Sequence, residues 1–146
     1  MLAILGKLYA TFSVGNYDMS MSSFELFQEV DGMQDVQPGL ALVVLLTGVT
    51  DAGNAVHQVQ DFLLDTDDIK TLLTFDNDEL LDYRARRPVM EFDGERVAEF
   101  VQGELSLFEL KDDLGHPFLL LSGYEPDFKW NRFTDQLLEI IKELDV

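Results

Sequence analysis

Apolar and polar positions divide the chain into two strand–loop–helix units built on one plan, with shorter alternating segments around them. The first unit, Leu40 to Leu64, reads LALVVLLTGVTDAGNAVHQVQDFLL. Its unbroken aliphatic run, Leu40 to Thr47, has the pattern of a strand buried on both faces, as in a parallel sheet. After a glycine-rich turn, Ala52, Ala55, Val56, Val59, Phe62 and Leu63 recur at helical spacing and predict the inward face of a helix. The second unit, Phe118 to Leu144, reads FLLLSGYEPDFKWNRFTDQLLEIIKEL. Phe118 to Ser122 predicts another buried strand. Trp130, Phe133, Leu137, Ile140, Ile141 and Leu144 form the apolar stripe of the closing helix, opposite Asn131, Arg132, Asp135, Glu139 and Lys142.

Between and before these units the pattern is shorter-ranged. Phe24 to Val30 alternates as a short edge strand, and Asp31 to Gly39 is a loop. Ile69 to Phe75 predicts a further strand. Asp76-Asn77-Asp78-Glu79 is a capping start for a helical turn over Glu79 to Tyr83. Val89 to Phe92 and Arg96 to Phe100 flank Asp93-Gly94, the signature of a tight hairpin, which makes the sheet mixed. Leu105 to Leu110 alternates and runs into a turn at Asp112 to Gly115. Strands alternating with helices predict one layered α/β domain over residues 23–146, preceded by an N-terminal extension, residues 1–22. The start MLAILGKLYA is unlike a secretory leader, because Lys7 interrupts the apolar stretch and no basic region precedes it. Two long helices are few for a sheet with two faces. Further cover is expected from residues elsewhere or from another subunit.

Charge and composition narrow the function classes. The chain has 146 residues, enough for one domain with a substantial core. It carries 28 acidic against 10 basic residues, a formal net charge of −18. No lysine or arginine occurs between Lys7 and Lys70. Such a surface repels phosphate backbones and anionic lipid, which disfavours nucleic-acid and membrane binding and leaves protein partners open. The longest apolar run, Leu40 to Leu46, is too short to span a bilayer. With no cysteine, disulfides, thiolate catalysis and Cys-ligated metals are excluded, in keeping with a cytoplasmic protein.

Three segments carry candidate chemistry. Gly48 to Asn54 joins a strand to a helix, where backbone N–H groups and the helix dipole can receive a phosphate. It lacks both the dinucleotide fingerprint and the P-loop lysine, and Asp51 would repel a phosphate. A tight turn using Gly53 for its backbone angles, with Asp51 capping the helix, is favoured over a site built on Asp51, Gly53 and Asn54. In the corresponding loop of the second unit, Glu125 and Asp127 form a possible acid pair at the carboxyl edge of the sheet. The alternative, with Asp127 capping the last helix and Pro126 fixing the turn, is favoured there. Arg84, Arg86 and Arg87 are the only concentrated positive charge. They suit bidentate anion binding, or they neutralise Asp76 to Glu79 and the two loops; the two readings weigh equally. His57 and His116 have no metal-ligand spacing, no G-x-S-x-G elbow exists, and Asp65 to Asp68 lacks the glycine of a calcium loop. No cofactor or metal is expected, and the balance leans away from an enzyme.

Three blocks, TGVTDAGNAV (Thr47 to Val56), FDNDELLDYRARRP (Phe75 to Pro88) and GHPFLLLSGYEPDFKWNRF (Gly115 to Phe133), resemble the proteasome assembly chaperone family in its bacterial branch. The resemblance runs from about Phe24 to the C-terminus. It implies an α/β/α sandwich related to nucleoside phosphorylases, an oligomer, and protein partners such as proteasome subunits. Family members are longer, so it further implies that this chain corresponds to the N-terminal part of the fold. A non-enzymatic assembly factor is the leading expectation; a small anionic or nucleoside-like ligand at the carboxyl edge is the rival.

Overall fold

A computed structural model describes residues 25–30, 32–49, 51–85, 92–93, 96–97 and 104–146. The N-terminal extension, Phe24, Arg86, Arg87, Gly94 and the outer ends of the hairpin strands lie outside the described residues. Five strands form the main sheet in the order β1-β3-β6-β7-β2: β1 (Phe27–Glu29), β3 (Lys70–Phe75), β6 (Ser106–Lys111), β7 (Pro117–Tyr124) and β2 (Leu42–Thr47). β2 and β7 pair in parallel, with Leu42 beside Leu119 and Thr47 beside Tyr124. The β7–β6, β6–β3 and β3–β1 pairings are antiparallel. The sheet is therefore mixed, but not because of the hairpin: β4 (Phe92–Asp93) and β5 (Arg96–Val97) pair with each other as a separate ribbon. β2 and β3 run the same way with β7 and β6 inserted between them, and α1 (Ala55–Leu64) makes the crossover.

The main core lies on one face of this sheet. Leu119 and Leu121 of β7, Leu107 of β6 and Leu73 and Phe75 of β3 meet Phe133 and Ile140 of α3 (Trp130–Glu143) and Leu144, which caps its C-terminus. Period-two alternation supplies the sheet side, and an i, i+7, i+11 spacing supplies the helix side. The predicted stripe of α3 is thus the buried one, except that Trp130 stays 44% exposed. Its ring instead packs edge-to-face on Phe133, 5.9 Å between centroids. Phe133 continues to Phe75 at 5.0 Å and Phe75 to Phe27 at 5.9 Å, an aromatic series joining α3 to the edge strand β1. Leu72 and Leu73 are both buried in this core because the β3–β6 register slips between Thr71 and Leu73, a bulge that lets adjacent residues serve it. Gln136 of α3 accepts from the Leu26 backbone N–H at 2.8 Å.

Two expectations from the first unit are corrected. β2 is parallel to its neighbour, as its aliphatic run predicts, but it sits at the margin of the sheet, with Val43 37% and Val44 49% exposed. An unbroken apolar run marks a strand with apolar surroundings on both faces. It does not say whether those surroundings come from the same segment of chain. The phase of α1 also differs. Its inward residues are Val56, Gln60, Leu63 and Leu64, while Val59 is exposed and Phe62 is 80% exposed. Gln60 displaces the expected stripe because its amide is useful inside. Nε2 donates to Leu45 O at 2.8 Å and to Gly123 O at 3.3 Å, pinning the helix to the β2–β7 pair.

Gln60→Met, which keeps the shape and removes the donor, should destabilise the fold by about 1–2 kcal/mol. Phe62→Ala should stay within about 0.5 kcal/mol of wild type. Urea midpoints of the two variants check the phase of α1, since the reverse order is what the sequence stripe implies.

Candidate functional site

The loops that follow β2 and β7 emerge side by side, because the two strands are parallel neighbours. Local chemistry shapes each one. Gly53 has φ +82° and opens onto empty space, so the backbone angle rather than lack of room requires glycine, as the turn reading predicts. Asn54 follows in the left-handed conformation and makes no side-chain cap of its own. The cap comes from Asp51, whose Oδ1 accepts from Val56 N at 2.9 Å and Oδ2 from His57 N at 3.2 Å. Both oxygens therefore face the exposed N–H groups at the positive end of α1, the position a phosphate would need.

Glu125 bridges the two loops. Its Oε1 accepts from Val49 N at 3.0 Å, and its backbone N–H donates to Thr47 O at 2.9 Å. The side chain lies where a β-carbon on Gly48 would be, so Gly48 is what admits it. Asp127, read from the sequence as a cap for α3, also reaches the segment after α2. The first residue of that helix is preceded by Lys129 in the left-handed conformation, with no side-chain cap. Asp127 Oδ2 accepts from Asp82 N at 2.8 Å, and the Asp127 and Phe128 N–H groups donate to Leu80 O at 2.8 and 3.0 Å. These bonds hold the segment after α2 (Asn77–Leu80) against the β7 loop, with Pro126 fully buried beside them. Lys129 also pairs with Glu79 of α2.

Asp76 caps α2 as predicted, its Oδ1 accepting from Asp78 N at 3.0 Å, but the helix covers Asn77–Leu80 rather than Glu79 to Tyr83. Beyond it, Asp82 Oδ1 accepts from Arg84 N at 2.9 Å and fixes the turn that carries the exposed Arg84 side chain. The Tyr83 hydroxyl donates to Asp78 Oδ1 at 2.9 Å. Partial burial, then this bond and the neighbouring carboxylates, raise the Tyr83 pKa above its ordinary value. Asp51, Gly53, Asn54, Arg84, Glu125 and Asp127 are thus gathered along one margin of the sheet, and all three carboxylates hold backbone N–H groups. Arg86 and Arg87 lie outside the described residues.

On the opposite face from the main core, α1 and the sheet enclose a recess of about 300 Å³, lined by His57, Gln60, Asp61, Thr71, Ser106 and Ser122 among others. Ser106 pairs with Thr74 at 2.9 Å. Among the described residues, no group of three or more histidine or acidic side chains is placed to hold a metal ion. No helix among them is long and apolar enough to cross a membrane.

At the far end of β7 the turn is built on Asp112. Its Oδ1 accepts from His116 N at 2.8 Å and from Leu114 N at 2.9 Å, and Oδ2 lies 3.1 Å from His116 Nδ1. The backbone bond from His116, then its ring and the Leu114 N–H, hold the Asp112 pKa below its ordinary value. A lowered carboxylate pKa favours the folded form above the unfolded pKa, and this contribution is lost as pH falls through the folded value. NMR titration of the Asp112 side chain should therefore give a midpoint below that of a free aspartate. His116→Ala should move it only part of the way back, because the backbone donor stays.

Placed against known proteins, residues 45–146 match the model of the PAC2 family. The chain belongs to the PAC2 family. Among solved structures, a protein of unknown function from Corynebacterium glutamicum is 34% identical, with a TM-score of 0.76 over 83% of this chain and 46% of that one. A Mycobacterium tuberculosis protein of unknown function is likewise 34% identical, with a TM-score of 0.76 over 92% of this chain and 45% of that one. A proteasome-assembly chaperone homologue from M. tuberculosis shares the fold at a TM-score of 0.61 and 24% identity, over 73% of this chain and 46% of that one. This PAC2 chain spans about half the length of each of these relatives. No curated protein matches it.

Proposed function

We propose that this chain works as a non-enzymatic protein-interaction or assembly factor in the cytoplasm, as an oligomer, with proteasome subunits as partners. The observation that carries the reading is the outward face of α1 and the loop before it. Phe62, Val59 and Val49 are all exposed there, on a molecule whose charge keeps it soluble without their burial. Solvent-exposed aromatic and aliphatic side chains of this kind serve as anchors for a protein partner. Family membership and the fold shared with a proteasome-assembly chaperone homologue support the same class. The test is binding of the purified chain to purified proteasome subunits, with wild type and Phe62→Glu compared. Retention of a defined subunit by wild type and its loss in the variant supports the reading. Equal retention by both, or none by either, overturns it.

A small anionic or nucleoside-like ligand at the carboxyl edge is the second reading. The Asp127–Asp82 bond favours it by setting the Arg84 turn beside the β7 loop. Thermal-shift titration with phosphate and with nucleosides would show stabilisation that Arg84→Ala reduces. The absence of any shift in wild type sinks it.

A further inference from the structure

Buried polar atoms ordinarily find a hydrogen-bond partner, so those that lack one mark a place where something else can be held. Two such atoms lie between α1 and the sheet, and both belong to residues that line the recess of about 300 Å³. Gln60 is 6% exposed and Ser122 3%. The surroundings fix the orientation of the Gln60 amide: Nε2 donates to Leu45 O and Gly123 O, and the reverse flip would set an oxygen against two carbonyls. Oε1 is therefore left over, and among the described residues nothing donates to it. Ser122 Oγ likewise has no hydrogen-bond partner among them. Neither oxygen is sealed in. Asn77 Oδ1 is the one buried side-chain nitrogen or oxygen among the described residues that is both partnerless and closed to water.

We infer that this recess binds a small aliphatic diamine. The chemistry of the lining selects the class. Gln60 Oε1 can only accept a hydrogen bond, and Asp61 and Glu104 add carboxylates at the exposed rim, where the Asp61 side chain is 68% exposed. No lysine or arginine lines the recess, and its one basic side chain, His57, stands with Nε2 3.9 Å from Asp61. Such a set takes hydrogen-bond donors and positive charge, and it repels anions. The overall charge of −18 raises the local concentration of cations further. A metal ion is the wrong cation, because no three histidine or acidic side chains among the described residues converge to hold one. An organic amine suits the mixture of polar and apolar lining, since Leu64 and Phe108 offer carbon surface to an alkyl stem. One ammonium group then donates to Gln60 Oε1 and Ser122 Oγ inside. The other stays at the rim with the carboxylates, where it keeps much of its water and costs little to hold. This ligand is opposite in charge to the anion considered for the carboxyl edge, and the inference rests on neither reading above.

The test is calorimetric titration of the full chain with 1,4-diaminobutane at low ionic strength, with NMR of the Gln60 side-chain amide. Wild type should bind at a single site, with the Gln60 Nε2 protons shifting, and affinity should fall as salt is added. Butane-1,4-diol, of the same length but uncharged, should bind at least about tenfold more weakly. Ser122→Ala removes one inner contact and should weaken diamine binding about threefold to tenfold. Asp61→Asn combined with Glu104→Gln changes only the rim and should weaken it about tenfold. Asp135→Asn, an exposed acid of α3 across the sheet, should leave affinity unchanged. No binding by wild type, or equal binding of the diol, overturns the inference. Equal weakening by Asp135→Asn and by the rim pair means adsorption to an acidic surface only, and overturns the site. Binding that ignores Ser122→Ala and leaves the Gln60 amide unshifted puts the diamine elsewhere, and overturns it too. None of these outcomes bears on retention of proteasome subunits through Phe62 or on a phosphate response through Arg84, so the readings fail separately.

Discussion

Phe133→Ala is expected to lower the unfolding free energy by about 3–5 kcal/mol, the cost of removing a large aromatic ring from a core that cannot close over the gap. Phe133 is 2% exposed and sits where α3 meets the sheet, in edge-to-face contact with Phe75 below it and Trp130 above. The substitution removes both ring contacts as well as the buried area, and edge-to-face pairs add about 0.5–1.5 kcal/mol beyond burial. Trp130 is the only tryptophan, so its fluorescence reports the local change directly. The expected result is a lower midpoint in guanidinium denaturation and a red-shifted native emission as Trp130 loses its contact. A midpoint within about 1 kcal/mol of wild type is outside the range for a buried phenylalanine and would mean that α3 is not the cover of this core.

Gly123→Ala is the second large effect. Gly123 has φ +147° on β7, and a β-carbon there would lie 2.5 Å from Leu105 Cα and 2.9 Å from Leu105 N and Glu104 O. All three are backbone atoms just before β6, which cannot swing aside as a side chain can. Backbone strain and overpacking together put the cost at about 3 kcal/mol or more. Gly123 O is also the acceptor for Thr47 Oγ1 and Gln60 Nε2, so a shift here loosens α1. Gly48→Ala makes an informative contrast. The atom in its way belongs to the Glu125 side chain, which can rotate at the loss of its bond to Val49, a cost of about 1 kcal/mol. In the Glu125→Ala background that cost should vanish, whereas the Gly123→Ala penalty should persist. Chemical denaturation of the two singles and two doubles separates the cases.

The parts of the fold legible in the sequence were those decided by local pattern. β7 reads as a buried strand and is the inner strand between β6 and β2; α3 reads as amphipathic and buries Phe133, Ile140 and Leu144. The turn at Asp112 to Gly115 and the cap at Asp76 depend on neighbours a few residues away, and both are present. What could not be read depends on distant partners. The aliphatic run of β2 is compatible with a buried strand and with an edge awaiting cover, and only the strand order distinguishes them. Gln60 interrupts the apolar stripe of α1 by name, yet it is the residue that faces inward, because two carbonyls from β2 and β7 converge on it. At the carboxyl edge, Asp51 is legible as a cap because its donors, Val56 N and His57 N, lie a few residues along, at the start of the helix. The partners of Glu125 and Asp127, Val49 N and Asp82 N, have no local signature.

The position of β7 has a consequence for how the chain is made. β2 emerges well before its only neighbour in the described sheet, Leu119 to Tyr124. Until β7 emerges, the apolar LVVLLT strand lacks its partner in the described sheet, and long-range parallel pairing is intrinsically slow to form. Among the described strands, β2 joins the sheet when β6 and β7 fold back as a hairpin and present β7 to the strand that has been waiting. Co-translational aggregation of nascent chains is therefore expected to peak at lengths between those that expose β2 and those that complete β7.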